Sequence, residues 1–159
     1  MYKRQEHFLT FEQLTLVGDG ARNRMASLAD LLRQSDAGRP QVIVIDTLNQ
    51  AMAGMDENGS AGMSEVISNL KFLLSLCPDI HIMIVHHSGK KKENGPRGHS
   101  SLFAAMDSCF FLSSLKNNLQ LEVTKDRGGK RGRKVKFNLV EIEANDNERK
   151  YTTVGVKYA

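Results

Sequence analysis

The sequence predicts an α/β protein: a parallel central sheet flanked by helices, with antiparallel β-hairpins at its C-terminal end. Three observations carry that expectation. Two short runs rich in β-branched residues, VIVID at 42–46 and IHIMIV at 80–85, have the pattern of strands buried on both faces. One segment with apolar residues at i, i+3, i+4 spacing precedes the first run and another lies between the two, so strand and helix alternate. After residue 88 the alternation stops, and four strand-like segments separated by turn residues follow.

Taken in order, Leu14, Thr15, Leu16 and Val17 read as a short strand, broken by Gly18, Asp19 and Gly20. Met25, Leu28, Ala29 and Leu32 then line one face of a helix over 21–34, stopped by Gly38 and Pro40. The strand at 42–46 ends on Asp46. A loop containing glycine and acids, 54–59, leads through Ser60, the expected N-cap, to Met63, Val66, Ile67, Leu70, Leu73 and Leu74. That second amphipathic helix stops at Pro78, and the strand at 80–85 runs straight into His86 and His87. Helices of this length serve as crossovers between parallel strands, which predicts helices on both faces of the sheet and a site at the carboxyl ends of its strands. Asp46, His86 and His87 belong to that edge. A polar loop over 88–98, a short helix near 99–106, and strands near 108–113, 119–124, 135–142 and 151–158 complete the chain. The turn-rich stretches 127–132 and 145–148 make these last strands hairpins that extend the sheet.

With 159 residues, 40% apolar and 25% charged, the chain fits one domain spanning 1–159 around one core. No apolar run approaches the roughly eighteen residues of a membrane span, and MYKRQEHFLTFEQ lacks the apolar stretch of a signal peptide. A cytoplasmic protein with no membrane partner is expected. Cys77 and Cys109, in apolar surroundings, read as buried thiols in a reducing compartment. The net charge of +4 is unevenly spread: residues 89–136 hold twelve Lys or Arg against four acids, and the rest ten against fourteen. A basic region of this kind suits an anionic partner, nucleic acid or nucleotide phosphate, although a solvated basic loop has the same composition.

Four apolar residues followed by aspartate fit the second nucleotide motif of P-loop enzymes, in which the carboxylate holds the Mg²⁺ of the nucleotide at a strand end and a neighbouring hydroxyl, here Thr47, assists. Many parallel strands end in Asp merely to cap the next loop, so the neighbours matter. His86-His87-Ser88-Gly89-Lys90 brings groups able to sense a γ-phosphate to the end of the next strand. Because a strand alternates faces, only one of the histidines can look into a site. A metal site built from His86, His87 and His99 is the alternative, with no spacing that fixes it.

VIVIDTL, IMIVHHSGK, GPRGHSSLFAAMD and LEVTKDRGGKRG, in this order and spacing, resemble the AAA-family ATPases of RecA-like type found in phages and mobile elements. These are similar to the hexameric replicative helicase of the RepA type and, more distantly, to DnaB. The resemblance runs from about Leu14 to Ala159 and implies a partial RecA-like P-loop NTPase core, with ATP and Mg²⁺ as cofactors of the complete protein. By the same resemblance Asp46 is the magnesium-organising aspartate, held to the ion through water, and Thr47 assists in nucleotide binding. His86 and His87 occupy the sensor position, and Lys90, Lys91, Lys92 and Arg97 lie in a central-channel loop facing single-stranded DNA. Lys125 and Arg127, before Gly128 and Gly129, are similar to the paired lysine and arginine fingers that enter a neighbouring subunit's nucleotide site. The complete parent would then be a homo-oligomeric ring, such as a hexamer, acting in DNA replication or recombination.

One departure bears on activity. The phosphate cradle GxxxxGK[ST] occurs nowhere in the 159 residues, and neither GDGAR nor GGKRG has its spacing. The expected function is therefore a truncated or split DNA-dependent ATPase or helicase domain, inactive alone and completed by its upstream half. The alternative is a non-catalytic nucleic-acid-binding or subunit-interaction module derived from such an ATPase.

Overall fold

In the computed structural model of the chain, residues 14–34, 41–87, 100–116, 118–145 and 150–158 are described. The chain divides into two compact units, Met1–Ala105 and Met106–Ala159.

The first unit carries helix α1 (Ala21–Gln34), strand β1 (Val42–Asp46), a one-turn helix α2 (Leu48–Ala51), helix α3 (Ser60–Leu76), strand β2 (His81–Val85) and helix α4 (Ser100–Ala105). β1 and β2 pair in parallel, with Val42 opposite His81 and Asp46 opposite Val85. The helical spacing read from the sequence is the buried stripe of each helix: Met25, Leu28 and Leu32 on α1, and Met63, Val66, Leu70 and Leu73 on α3. α1 packs against α3. Leu16, Leu48 and Met52 join them without exposed surface, each such side chain contributing roughly 1.5–3 kcal/mol by burial. The start of α3 falls one residue from expectation. Gly59 is the N-cap and Ser60 the first helical residue, because a turn in which Gly59 N–H donates to Asp56 O at 3.0 Å delivers the chain there.

Two further features of this unit differ from the sequence expectation. Residues 14–17 form no strand, because the carbonyls of Thr15, Leu16 and Val17 are taken by side chains instead of a neighbouring strand. Arg24 donates to Thr15 O at 3.1 Å, Val17 O at 2.9 Å and Asp19 O at 2.9 Å, and buried Asn69 donates to Leu16 O at 2.7 Å. The parallel strands are also covered on one face only among the described residues. Ile45 is buried and Ile43, Ile82 and Ile84 are half-buried, whereas Val42, Val44 and Met83 on the opposite face are 51%, 56% and 52% exposed. An uninterrupted apolar run shows that a strand can be buried on both sides, not that both sides are covered.

The second unit is a four-stranded antiparallel sheet in the order β3-β4-β5-β6, formed by β3 (Ser108–Ser114), β4 (Leu119–Asp126), β5 (Lys134–Asn145) and β6 (Lys150–Tyr158). The hairpin strands expected near 108–113, 119–124, 135–142 and 151–158 are thus present, but as a sheet of their own and not as an extension of β1 and β2. β4 and β5 are longer than expected, because Val123 N–H donates to Arg133 O at 2.9 Å and Gly132 N–H to Val123 O at 2.8 Å, carrying the pairing into the basic turn.

Candidate functional site

The candidate site is assembled by strand register. In the β1–β2 pair Asp46 lies opposite Val85, so the chain leaves one strand at Thr47 and the other at His86 from neighbouring positions on one edge. Adjacent strands run about 4.8 Å apart, which brings the carboxylate and the histidine pair to the same end of the sheet. Alternation separates the two histidines as expected: His86 is half-buried and His87 exposed. Asp46 is exposed, and its side chain makes no hydrogen bond or ion pair with a described residue. The Asp46–Thr47 peptide is cis. Thr47 is the N-cap of α2 and half-buried, yet its hydroxyl makes no capping hydrogen bond, which leaves the oxygen available to another partner.

Sequence reasoning missed Glu57. This acid is 7% exposed, and Asn49, three residues beyond Asp46, donates its side-chain amide to Glu57 Oε2 at 3.3 Å. The adjoining turn is held by Asp56, whose carboxylate accepts from Asn58 N–H at 2.9 Å. The available signal was three consecutive polar residues, Asp56, Glu57 and Asn58, inside the glycine-bounded loop that follows the site strand. Glu57 ties that loop to α2 and so fixes the path of the chain leaving Asp46.

Among the described residues no cluster of three or more His, Cys, Asp or Glu side chains is arranged to hold a metal ion. A nucleotide-borne magnesium does not need one, because Mg²⁺ keeps several waters and takes one or two carboxylates together with substrate phosphates. The exposed, unengaged carboxylate of Asp46 fits that role. His99, the third member of the alternative histidine site, lies outside the described residues, as do the loop lysines Lys90, Lys91 and Lys92 and Arg97.

The two finger residues belong to the second unit. Lys125 lies within β4, not in the turn, and pairs with Cys109 of β3. Burial pushes the Cys109 thiol up from its ordinary value, partly offset by the Lys125 charge. Arg127 follows β4 directly. Its guanidinium meets Asp107 Oδ1 at 2.7 Å in a pair with both side chains more than two-thirds exposed, and its N–H donates to Asp107 O at 3.0 Å. The turn beyond carries Lys130, Arg131 and Arg133, all exposed.

The two parallel strands end side by side at Asp46 and Val85, where the histidine pair begins, and an antiparallel sheet follows in the chain. The family model of the AAA domain matches residues 2–93, more than half of the sequence, and the chain belongs to that family. The crystal structure of the RadB recombinase superposes on it with a TM-score of 0.53 at 15% identity, covering 77% of this chain. The chain spans 56% of the length of that recombinase, and the likeness is one of fold. No curated protein matches the sequence.

Proposed function

We propose that the chain is the magnesium- and phosphate-sensing half of a DNA-dependent ATPase or helicase, working in replication or recombination within a ring of like subunits. Asp46 organises Mg²⁺ through water, Thr47 contributes its hydroxyl, and His86 and His87 sense the γ-phosphate. Lys125 and Arg127 reach a neighbouring subunit's nucleotide, where they neutralise charge developing on the transferred phosphoryl group. For Arg127 this means leaving an exposed ion pair, which costs little. Lys90, Lys91, Lys92 and Arg97 contact single-stranded DNA. The observation that carries the proposal is the register of Asp46 against Val85, which brings the aspartate and the histidine pair to one strand edge.

The triphosphate itself is gripped by residues supplied from outside these 159, because a backbone N–H cradle of the GxxxxGK[ST] type is absent from the sequence. Calorimetric titration of the chain with Mg-ATP tests this. Little or no heat is expected from the chain alone, and ATP binding should appear when a segment bearing GxxxxGK[ST] from a related ATPase is added in trans. Micromolar binding with phosphate release by the chain alone would contradict the proposal. Asp46→Asn should abolish the magnesium dependence of the completed site.

A further inference from the structure

Within the second unit, one face of the antiparallel sheet carries large apolar side chains that are exposed among the described residues. Register partners share a face, so Phe110 and Leu112 of β3 align with Val123 and Leu121 of β4, and Phe137 and Leu139 of β5 align with Tyr158 and Val156 of β6. Leu121 pairs with Val135 and joins the two halves into one surface. Much of it is uncovered: Phe110 is 60% exposed, Leu112 54%, Leu139 57%, Val154 61%, Val156 67% and Tyr158 81%. Side chains of this size at these exposures leave on the order of 600 Å² of apolar surface, the upper end of what a free monomer shows and approaching the roughly 800 Å² per partner of a stable interface.

The charges at the ends of this face say what fits it. Along β5 and the residue before it, the same face carries Arg133, opposite Val123, then Val135, Phe137 and Leu139, then Glu141 and Glu143. A cation lies at one end, an apolar centre follows, and two anions lie at the other. Arg133 meets Asp126 only at 3.8 Å with its side chain 67% exposed, and Glu141 and Glu143 are exposed, their side chains without a hydrogen bond or ion pair to a described residue. Under a two-fold axis crossing β5 at Phe137, Phe137 stacks on its own copy, and Arg133 of each chain lies over Glu141 of the other. Face-to-face sheets stack about 10 Å apart with strands within about 30° of parallel or antiparallel, the geometry this pairing needs. An isologous contact requires a self-complementary pattern, and this strand supplies one.

We propose that the face built on Phe110, Leu112, Leu139 and Val156 is the contact between two copies of this chain, related by a two-fold axis and bracketed by Arg133–Glu141 pairs. The inference is independent of nucleotide or DNA binding. Sedimentation equilibrium of the 159-residue chain should return a two-copy mass. Leu139→Arg should return a one-copy mass with the strand signal in circular dichroism retained. Arg133→Glu should weaken association roughly 30-fold, and the triple change Arg133→Glu, Glu141→Arg, Glu143→Arg should recover it. If Leu139→Arg does not fold, the exposed Arg133→Glu variant and its charge-swapped rescue still read the interface. A single-copy or undefined mass for the unaltered chain up to about 100 μM overturns the proposal. So does a dimer that Arg133→Glu leaves intact, or a triple variant no tighter than Arg133→Glu.

Discussion

Arg24 and Asn69 show how much a single polar side chain can decide. Between them they donate to the carbonyls of Thr15, Leu16 and Val17, three successive strand-like positions, and to that of Asp19, and the segment before α1 becomes a clamped loop. Arg24→Lys replaces a planar fork by a point charge that cannot serve three carbonyls at once. A loss of about 1–3 kcal/mol is expected in urea unfolding. Asn69→Ala, at a residue 3% exposed, should cost a similar amount by leaving Leu16 O buried without a donor. Neither effect was legible beforehand, although Asn69 sits on the same stripe as Val66, Leu70 and Leu73, where a polar residue signals a buried hydrogen bond. The strand-end positions of Asp46, His86 and His87 were legible, because a strand's end can be read from where an apolar run stops. Cys109 adds a pH dependence. Its thiol is held above the ordinary value by burial, so the folded state favours the neutral form. That stabilisation is complete below the ordinary thiol range near 8.5 and is lost as pH rises through the folded value. In a Cys77→Ser variant, alkylation of Cys109 should lag a free peptide thiol, and stability should fall on the alkaline side.

At the level of elements, α1, α3, α4 and all four late strands were readable because period and turn composition are local properties, whereas the one-turn helix α2 was too short to show a period. Which strands share a sheet was not readable: β3 to β6 carry no sequence mark distinguishing an extension of β1–β2 from a separate sheet. The single-sided cover of β1 and β2 was hidden for the same reason. The β4–β5 hairpin combines a rigid ladder with exposed Lys130, Arg131 and Arg133. If Arg127 acts on a neighbour's nucleotide, Arg127→Ala should change thermal stability by less than about 1 kcal/mol, since its pair with Asp107 is exposed. The same variant should lose any effect of the chain on turnover by an intact homologous subunit. Equal effects of the two proteins on turnover would leave Arg127 as a hairpin charge.

For the whole molecule, if single-stranded DNA is the partner proposed above, the division of charge sets how the chain should meet it. The segment 89–98 and the stretch from Lys125 to Lys136 carry the cations and no aromatic residue, so stacking platforms are absent from both. Affinity should come from counterion release, with log K falling by roughly 0.7 per neutralised phosphate for each tenfold rise in salt. Replacing Lys90, Lys91 and Lys92 with alanine should reduce that slope by about two units in fluorescence anisotropy, equally for two unrelated oligonucleotides. A slope unchanged by the triple substitution would move binding to the hairpin stretch.

Among the described residues, β6 closes the four-stranded sheet at one side, and its outer backbone groups have no neighbouring strand. An open edge is a template on which another extended chain can add itself, and repeated addition grows fibres. Residues 151–156, YTTVGV, contain no charge and no proline, a combination that favours such growth. Lys150 and Lys157 stand at its two ends as gatekeepers, since stacking further copies in register would pile ammonium on ammonium. Lys157→Val extends the uncharged run through Tyr158. It should shorten the lag before thioflavin-positive fibrils appear, and high salt, which screens the same repulsion, should shorten it for the unaltered chain.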